Sequence, residues 1–179
     1  MIRLTIAAVV ALASAAAPAQ PRGGASASRL RQVEDRLAIE RILVDYADFL
    51  DRRDYAAYAD LFAPDGEWRN GAGSNKGRAA IRQMLDRALG PAGTPNRANY
   101  HIITNPRVDL NGDRATATSR YLFVMRGPGG QPMPSLAGVY RDELVRQGGG
   151  WKIRLRVADD IMPTPAEWAK IVAQQPRPQ

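Results

Sequence analysis

The chain has 179 residues, a length that fits one domain of ordinary size, with no cysteine and a single histidine. These counts exclude zinc–thiolate sites, thiol redox chemistry and metal sites built from several histidines, so we do not expect a metal. We also expect no other cofactor. The formal net charge is +7 at pH 7, but the arginines are scattered through the chain. The absence of a basic run interleaved with aromatic residues argues against nucleic-acid binding.

The first residues have the pattern of a secretory signal peptide. A positive start at Arg3 precedes a short apolar run, and Ala17-Pro18-Ala19 resembles a cleavage site. We expect cleavage after Ala19 and export to the periplasm or the medium; an uncleaved membrane anchor is the alternative. Residues 20–29 are small and polar and predict a flexible tether, and residues 174–179 predict a disordered tail. The folded domain is then expected to span 30–173.

Residues 30–50 carry the strongest periodic signal in the chain. Leu30, Val33 and Leu37 stand at spacings of three and four and open an apolar stripe that continues to Tyr46. This spacing predicts a long amphipathic helix with one buried side. Asp54 is predicted to cap a second, short helix.

Turn residues and a further helix follow. Pro64-Asp65-Gly66 predicts a turn that ends the second helix, and a brief strand is expected at 67–69. Residues 70–76 are rich in Gly, Asn and Ser and predict a loop. A third helix is predicted over 78–89, with Gly90 at its C-terminal stop.

The second half of the chain changes to the pattern of β-strands. Strands are predicted over 100–110, 115–125, 136–146 and 151–157, with a hairpin at Asn111-Gly112. Pro106 indicates a sheet edge or a bulge in the first of these strands. In the last strand apolar residues alternate with Lys152, Arg154 and Arg156, which predicts one apolar face and one basic face.

The end of the domain has the pattern of a short closing helix. Thr164 is predicted to be its N-cap, with Glu167 as the capping-box partner, and Trp168, Ile171 and Val172 are expected to pack inward. Helices followed by a run of strands predict an α+β fold. We expect a curved, mostly antiparallel sheet wrapped around the long N-terminal helix as a cone-shaped barrel with a hollow interior.

Several motifs resemble those of a known superfamily over nearly all of residues 30–160. The sequence is similar to SnoaL-like proteins of the nuclear-transport-factor-2-like superfamily, which implies the α+β cone and a homodimer formed through the sheet. The motifs that carry the resemblance are Tyr46–Tyr55, Leu61–Gly66, His101–Asn105, Asn111–Ala115, Tyr140–Leu144 and Trp151–Ile153.

Within that superfamily, the scytalone dehydratase and bile acid 7α-dehydratase groups suggest site residues. These groups place a tyrosine and an aspartate near the end of the first helix and a histidine on a later strand. Tyr46, Asp51 and His101 match this pattern in type and order, most closely that of the bile acid group. A second histidine of scytalone dehydratase has no counterpart here, where Arg120 or Tyr121 falls nearby.

The three residues have chemistry that fits this resemblance. His101 has the side chain whose ordinary pKa suits proton transfer near neutrality. Asp51 lies near a helix C-terminus, an unfavourable place for a carboxylate that a nearby imidazolium would offset. The Tyr46 hydroxyl on the apolar stripe is expected to point into the enclosure. About 140° of helix rotation separates Tyr46 from Asp51, so the sheet must wrap the helix to bring both to one site.

Each of these residues also has a structural alternative. His101 can be a hydrogen-bonded packing residue, Asp51 can pair at the surface with Arg52 or Arg53, and Tyr46 can be an ordinary core tyrosine. The predicted wall residues of the ligand pocket can equally be ordinary core residues. These wall residues are Trp68, Asn105, Tyr121, Met125 and Tyr140.

The leading hypothesis is a cofactor-independent dehydratase (a hydro-lyase) or isomerase. Its substrate would be a small apolar hydroxy-carbonyl compound such as a polyketide, steroid or terpenoid. The alternative is an exported binding protein for a hydrophobic small molecule, without catalysis. A third reading is a purely structural dimer partner, which predicts a cavity filled by side chains.

Overall fold

The computed structural model describes residues 22–173 of the chain. The predicted signal peptide at 1–19, residues 20–21 of the predicted tether and the predicted tail at 174–179 lie outside the described residues. The helices are α1 (Arg22–Asp51), α2 (Tyr55–Asp60), α3 (Arg78–Leu89) and α4 (Pro165–Ala173). The strands are β1 (Phe62–Asn70), β2 (Gly73–Lys76), β3 (Asn99–Asn111), β4 (Arg114–Arg126), β5 (Pro132–Gln147) and β6 (Gly150–Met162).

The strands form a single curved sheet in the order β2-β1-β6-β5-β4-β3. Neighbouring strands are antiparallel except for β1 and β6, which run parallel. The long helix α1 packs against β3 and β6, and its buried residues join the inner face of the sheet in one hydrophobic core. This arrangement confirms the predicted α+β cone.

Within residues 22–173, no helix combines the length and the apolar character that crossing a membrane requires.

Helix α1 is longer than predicted, and its first half is not buried. It begins at Arg22, so residues 22–29 are helical instead of forming the predicted tether. The predicted burial of Leu30, Val33 and Leu37 is wrong, because these side chains are 60%, 52% and 60% exposed. The hydrogen bonds of α1 to the sheet start only at Asp35, which accepts from the indole of Trp151 at 3.0 Å. Within the described part of the chain, the apolar stripe of this half of the helix therefore faces solvent.

The segment after α2 forms more sheet than predicted. Pro64, Asp65 and Gly66 lie within β1 instead of ending a helix in a turn, and residues 73–76 of the predicted loop form β2. The pairing of β1 with β6 is irregular between Phe62 and Glu67. A Cβ atom at Gly66 would lie 2.8 Å from the carbonyl oxygen of Ile153, so the close approach of these two strands requires glycine there.

A bulge in β6 reverses the predicted faces of that strand. Glu143 pairs with Leu155 and Leu144 pairs with Ile153, so Arg154 is an extra residue in the ladder. Beyond it the alternation changes phase, and Arg156 is fully buried. The prediction that Arg156 belongs to a basic solvent-facing side is therefore wrong.

The predictions for Pro106 and for the start of α4 are confirmed. Strand β3 is an edge strand, and its register shifts between Thr104 and Arg107, around Pro106. At the start of α4, a carboxylate oxygen of Glu167 accepts from the backbone N–H of Thr164 at 2.8 Å. The predicted inward packing of Ile171 is wrong, since this side chain is 39% exposed, whereas Trp168 is half-buried; the side chain of Val172 lies outside the described ones.

We predict that Asp54→Ala destabilises the protein by about 1 kcal/mol, since it removes the N-cap of α2. A side-chain oxygen of Asp54 accepts from the backbone N–H of Ala57 at 3.0 Å. Thermal unfolding followed by circular dichroism should show a midpoint lower by roughly 2–4 °C. The exposed Asp109 on β3 provides the control, because Asp109→Ala removes a carboxylate that is not the N-cap of a helix. Equal midpoints for the two variants would contradict this role of Asp54.

Candidate functional site

The central feature of the candidate site is a carboxylate–imidazole pair that joins α1 to β3. Asp51 is the last residue of α1, and His101 lies near the start of β3. One carboxylate oxygen of Asp51 is 2.7 Å from Nδ1 of His101, and the other accepts from the backbone N–H of His101 at 2.9 Å. The two side chains are 24% and 9% exposed. Because Asp51 accepts at Nδ1, Nε2 is the nitrogen left to accept a proton.

A buried arginine next to this pair fixes its geometry. Arg53 has a φ of 60°, a left-handed conformation that turns the chain sharply after α1. Its guanidinium donates to the side chains of Asn96 and Asn99 at 3.1 and 3.2 Å. The Asn96 amide donates in turn to the backbone carbonyl of Asp51 at 2.9 Å. The end of α1 is thereby bound to the segment that leads into His101.

His101 lines a cavity of about 540 Å³ that is partly open to solvent. This volume is within the usual range for small-molecule sites. Most of the lining is apolar or aromatic, including Leu50, Met84, Phe123, Leu136 and Trp168. An open cavity contradicts the reading as a purely structural dimer partner, which predicts that side chains fill this space.

Of the predicted wall residues, the structure places four on this cavity and one elsewhere. Trp68, Tyr121, Met125 and Tyr140 line it. Asn105 does not: it is exposed, with a φ of 53° at the bulge in β3, and its side chain accepts from the Thr104 hydroxyl. The bulge interrupts the alternation of side chains along β3. Asn105 therefore does not lie on the face of β3 that carries His101 and lines the cavity.

Tyr46 is buried, and its hydroxyl group is oriented by a neighbour. The indole N–H of Trp68 donates to the Tyr46 oxygen at 3.0 Å. This bond leaves the hydroxyl's own proton for another acceptor. The Tyr46 ring contacts those of Tyr58 and Tyr140, with centroid distances of 4.7 and 5.3 Å. Asp51 does not line the cavity itself and reaches it through His101.

Arg156 is the functional candidate that the sequence pattern missed. Its guanidinium donates to both carboxylate oxygens of the buried Asp142, at 2.6 and 2.8 Å. The central carbon of the guanidinium lies 3.8 Å from the ring centroid of Tyr46 and 4.5 Å from that of Tyr140. Burial alone would lower the pKa of Arg156, but the carboxylate of Asp142 outweighs it and the pKa is raised. A fixed positive charge therefore lies against the Tyr46 ring.

One sequence signal does point to this buried ion pair. Asp142 alternates with Tyr140 and Leu144 in β5, so it lies on the same face as two core residues. A carboxylate on a buried face needs a charged or hydrogen-bonding partner. The partner is Arg156, which reaches this face because of the bulge at Arg154. No sequence pattern indicates that bulge.

The other phenols around the cavity are neutral. Burial raises the pKa of Tyr58 and that of Tyr140 well above the ordinary tyrosine value. The hydroxyl of Tyr58 is buried and has no hydrogen-bond partner in the described part of the chain. The Tyr58 side chain lies at the cavity wall but is 0% exposed, so its hydroxyl belongs to the core and is not open to a bound molecule.

Among the described residues, no three side chains of the metal-ligating types His, Cys, Asp and Glu form a cluster. The side chains at this site offer acid–base and hydrogen-bond chemistry of their own.

Comparison with known proteins identifies the family to which this fold is similar. The family model described as a SnoaL-like domain matches residues 31–157. An uncharacterised protein of Mycobacterium tuberculosis is 31% identical over 130 residues, which make up 70% of this chain and 85% of that protein.

Two solved structures show the same architecture. An NTF2-like protein with a cystatin-like fold from Novosphingobium aromaticivorans superposes with a TM-score of 0.69 at 28% identity, over 83% of this chain and 95% of that one. The structure of LinA gives a TM-score of 0.64 at 26% identity, over 74% of this chain and 90% of that one.

Proposed function

This chain belongs to the SnoaL-like domain family, and we propose that it is a cofactor-independent dehydratase or isomerase. Its proposed substrate is a small apolar hydroxy-carbonyl compound of the polyketide, steroid or terpenoid kind. The observation that carries the proposal is the Asp51–His101 pair, with Nδ1 and carboxylate 2.7 Å apart, at the wall of a cavity of about 540 Å³.

His101 is the proposed base. Asp51 holds the ring from Nδ1, so the neutral imidazole carries its proton there and offers the lone pair of Nε2. That lone pair removes the proton from the carbon next to the substrate carbonyl, and the C–H electrons move into an enolate. The imidazolium that forms is stabilised by the Asp51 carboxylate.

Tyr46 is the proposed donor to the carbonyl oxygen. The Trp68 indole occupies a lone pair of the Tyr46 oxygen, so the phenol proton is directed to another acceptor. The Arg156 guanidinium lies 3.8 Å from the ring centroid, which favours negative charge near the phenol oxygen. The hydrogen bond from Trp68 and the attraction to Arg156 both become stronger as negative charge develops on the enolate.

The second half of the reaction determines the product. In a dehydration the enolate reforms the carbonyl, a carbon–carbon double bond forms and the C–O bond to the hydroxyl breaks. The His101 imidazolium gives its proton to that hydroxyl, which leaves as water, and the imidazole returns to its neutral form. In an isomerisation the imidazolium returns its proton to a different carbon. Neither course requires an oxidant or a reductant.

We predict that Asp51→Asn lowers turnover by about 10²–10⁴-fold, since it removes the negative charge that orients and stabilises His101. Native mass spectrometry of the purified protein first identifies the chemical class of any retained ligand, and turnover is then measured on that class. Asp48 offers a matched control: it lies one turn earlier on α1 and pairs with Arg52 at the surface. Asp48→Asn should leave turnover unchanged, and full activity in Asp51→Asn would contradict the mechanism.

A binding protein without catalysis is the second candidate, because the mostly apolar and aromatic lining is sufficient for a hydrophobic carrier. In that case the wild-type protein retains the ligand unchanged, and the Asp51→Asn variant binds it equally well. Export after cleavage at Ala19 and a homodimer formed through the sheet are part of the proposal in either case. These two features rest on the sequence pattern and on the family resemblance.

A further inference from the structure

A row of three residues crosses the cavity wall on adjacent strands. In the sheet register, Tyr121 on β4 pairs with Gly138 on β5, and Gly138 pairs with Asp160 on β6. The hydroxyl of Tyr121 donates to a carboxylate oxygen of Asp160. Tyr121 and Asp160 both line the cavity that His101 faces.

Gly138, in the middle of the row, leaves the space that the contact between Tyr121 and Asp160 needs. A Cβ atom at Gly138 would lie 2.5 Å from the Tyr121 hydroxyl oxygen and 2.7 Å from the ring carbon that bears it. Any side chain at this position would push the ring away from Asp160. The absence of a side chain lets a β4 tyrosine reach across β5 to a β6 carboxylate.

The carboxyl group of Asp160 is in an unusual place for a structural residue. Its hydrogen bond within the described part of the chain is the one from Tyr121, which involves Oδ1. Phe123, Leu136 and Ala158 line the cavity alongside it. Polar groups among apolar walls in a cavity generally determine which ligand binds and in what orientation.

The electrostatic surroundings favour a neutral hydrogen-bonding partner for this carboxyl group. Burial raises the pKa of Asp160 above the ordinary value, and the negative charge of Asp159 acts in the same direction, while the hydrogen bond from Tyr121 acts against them. Burial also raises the pKa of Tyr121. Asp160 has no ion-pair partner among the described residues, since Arg156 binds Asp142 and Arg141 binds Asp159. A hydroxyl group, which both donates and accepts, fits such a site whether the carboxyl is protonated or ionised.

We infer that Tyr121 and Asp160 form a hydroxyl-binding subsite, which takes the alcohol group of a hydroxy-carbonyl ligand whose carbonyl lies at Tyr46. Tyr140 lies between the two ends, with ring centroids 4.3 Å from Tyr121 and 5.3 Å from Tyr46. One aromatic ring thus separates the carbonyl end from the hydroxyl end, a span that a small ligand can bridge. This inference rests on the proposed function for the class of ligand, but it concerns binding and not turnover.

The test compares two probes that differ by one hydroxyl group, 4-hydroxy-4-phenylbutan-2-one and 4-phenylbutan-2-one. Isothermal titration gives their affinities, and absorbance of the conjugated enone reports any dehydration in the same samples. The wild-type protein should bind the hydroxyketone about tenfold more tightly than the ketone, the effect of one net hydrogen bond. Asp160→Leu should remove this preference, and Asp160→Asn, which keeps an acceptor for Tyr121, should reduce it.

The matched control is Asp159→Asn. Asp159 is the preceding residue on the same strand, but it is exposed and pairs with Arg141 at 3.4 Å, so its replacement should leave the preference intact. Equal affinities for the two probes in the wild-type protein, no binding of either probe, or an undiminished preference in both Asp160 variants would overturn the inference. A hydroxyl preference without enone formation would support the subsite while counting against the proposed dehydration.

Discussion

Turnover should fall by at least about 10²–10⁴-fold when His101 is replaced by alanine, because the base that removes the carbon-bound proton is lost. His101 is the sole histidine of the chain, so no other imidazole can take over its role. The variant should stay folded, since the removed ring contacts Phe123 and Asp51 and is not part of the central hydrophobic core. The backbone N–H of residue 101 can still donate to Asp51 and keep α1 joined to β3.

Steady-state kinetics on the retained ligand class, with thermal unfolding as the control for folding, makes this measurement. Ligand affinity should change much less than kcat, because the aromatic lining that contacts an apolar ligand is unchanged. If a folded His101→Ala protein had the kcat of the wild type, the acid–base mechanism would be contradicted. A binding protein without catalysis would then be the better explanation.

The largest loss of stability should come from Asp142→Asn, which we expect to cost about 3–5 kcal/mol. Asp142 and Arg156 are both fully buried as side chains, and their charges neutralise each other over 2.6 Å. Without the carboxylate, the Arg156 charge has no counter-ion in the core. Urea unfolding at equilibrium measures the change in the free energy of unfolding.

Glu143 gives a matched control for this experiment. It is the next residue on β5, but it faces solvent and pairs with Arg154 at 3.1 Å, with side chains about half exposed. Glu143→Gln should change the free energy of unfolding by no more than about 0.5 kcal/mol. If Asp142→Asn were equally mild, the buried ion pair would not be the stabilising element that the geometry indicates.

The double variant Asp142→Leu with Arg156→Met separates stability from function. Replacing a buried ion pair by apolar residues of similar size often restores stability, so this protein should unfold near the wild-type denaturant concentration. Its turnover should still be reduced, because the positive charge beneath Tyr46 is absent. Recovery of both properties would show that Arg156 only fills space.

Local signals in the sequence predicted most of the fold. The bounds of α3, the N-cap at Asp54, the hairpin at Asn111-Gly112 and the edge position of Pro106 all follow from turn, cap and periodicity rules, and the structure has them. These features depend on a few neighbouring residues. That is why a single sequence is enough to place them.

The misses come from features that only tertiary structure decides. The stripe of Leu30, Val33 and Leu37 has the right spacing for a buried face, but in the structure these side chains are exposed. In the sequence, Arg156 continues the alternation of basic residues with Ile153 and Leu155, which predicts that it points outward. The bulge at Arg154 turns it inward. A register shift of one residue moves every following side chain to the other face, and no local pattern reports it.

The candidate site also combines residues that the sequence indicates with residues that only the tertiary structure reveals. Residue type and family resemblance indicate His101 and Asp51, and the structure brings their side chains together at 2.7 Å. No local sequence pattern indicates a role for Asp160, because its partner Tyr121 lies 39 positions away and is reached across Gly138. Long-range contacts of this kind require the register of three strands.

Deuterium exchange tests the central claim most directly, namely that His101 removes a proton from the carbon next to a carbonyl group. 4-Phenylbutan-2-one has such protons but no hydroxyl to lose, so incubation with the protein in D₂O isolates the proton-removal step for mass spectrometry. We predict that the wild-type protein introduces deuterium next to the carbonyl much faster than either His101→Ala or Asp51→Asn. Equal rates for the three proteins would contradict the proposed role of the Asp51–His101 pair.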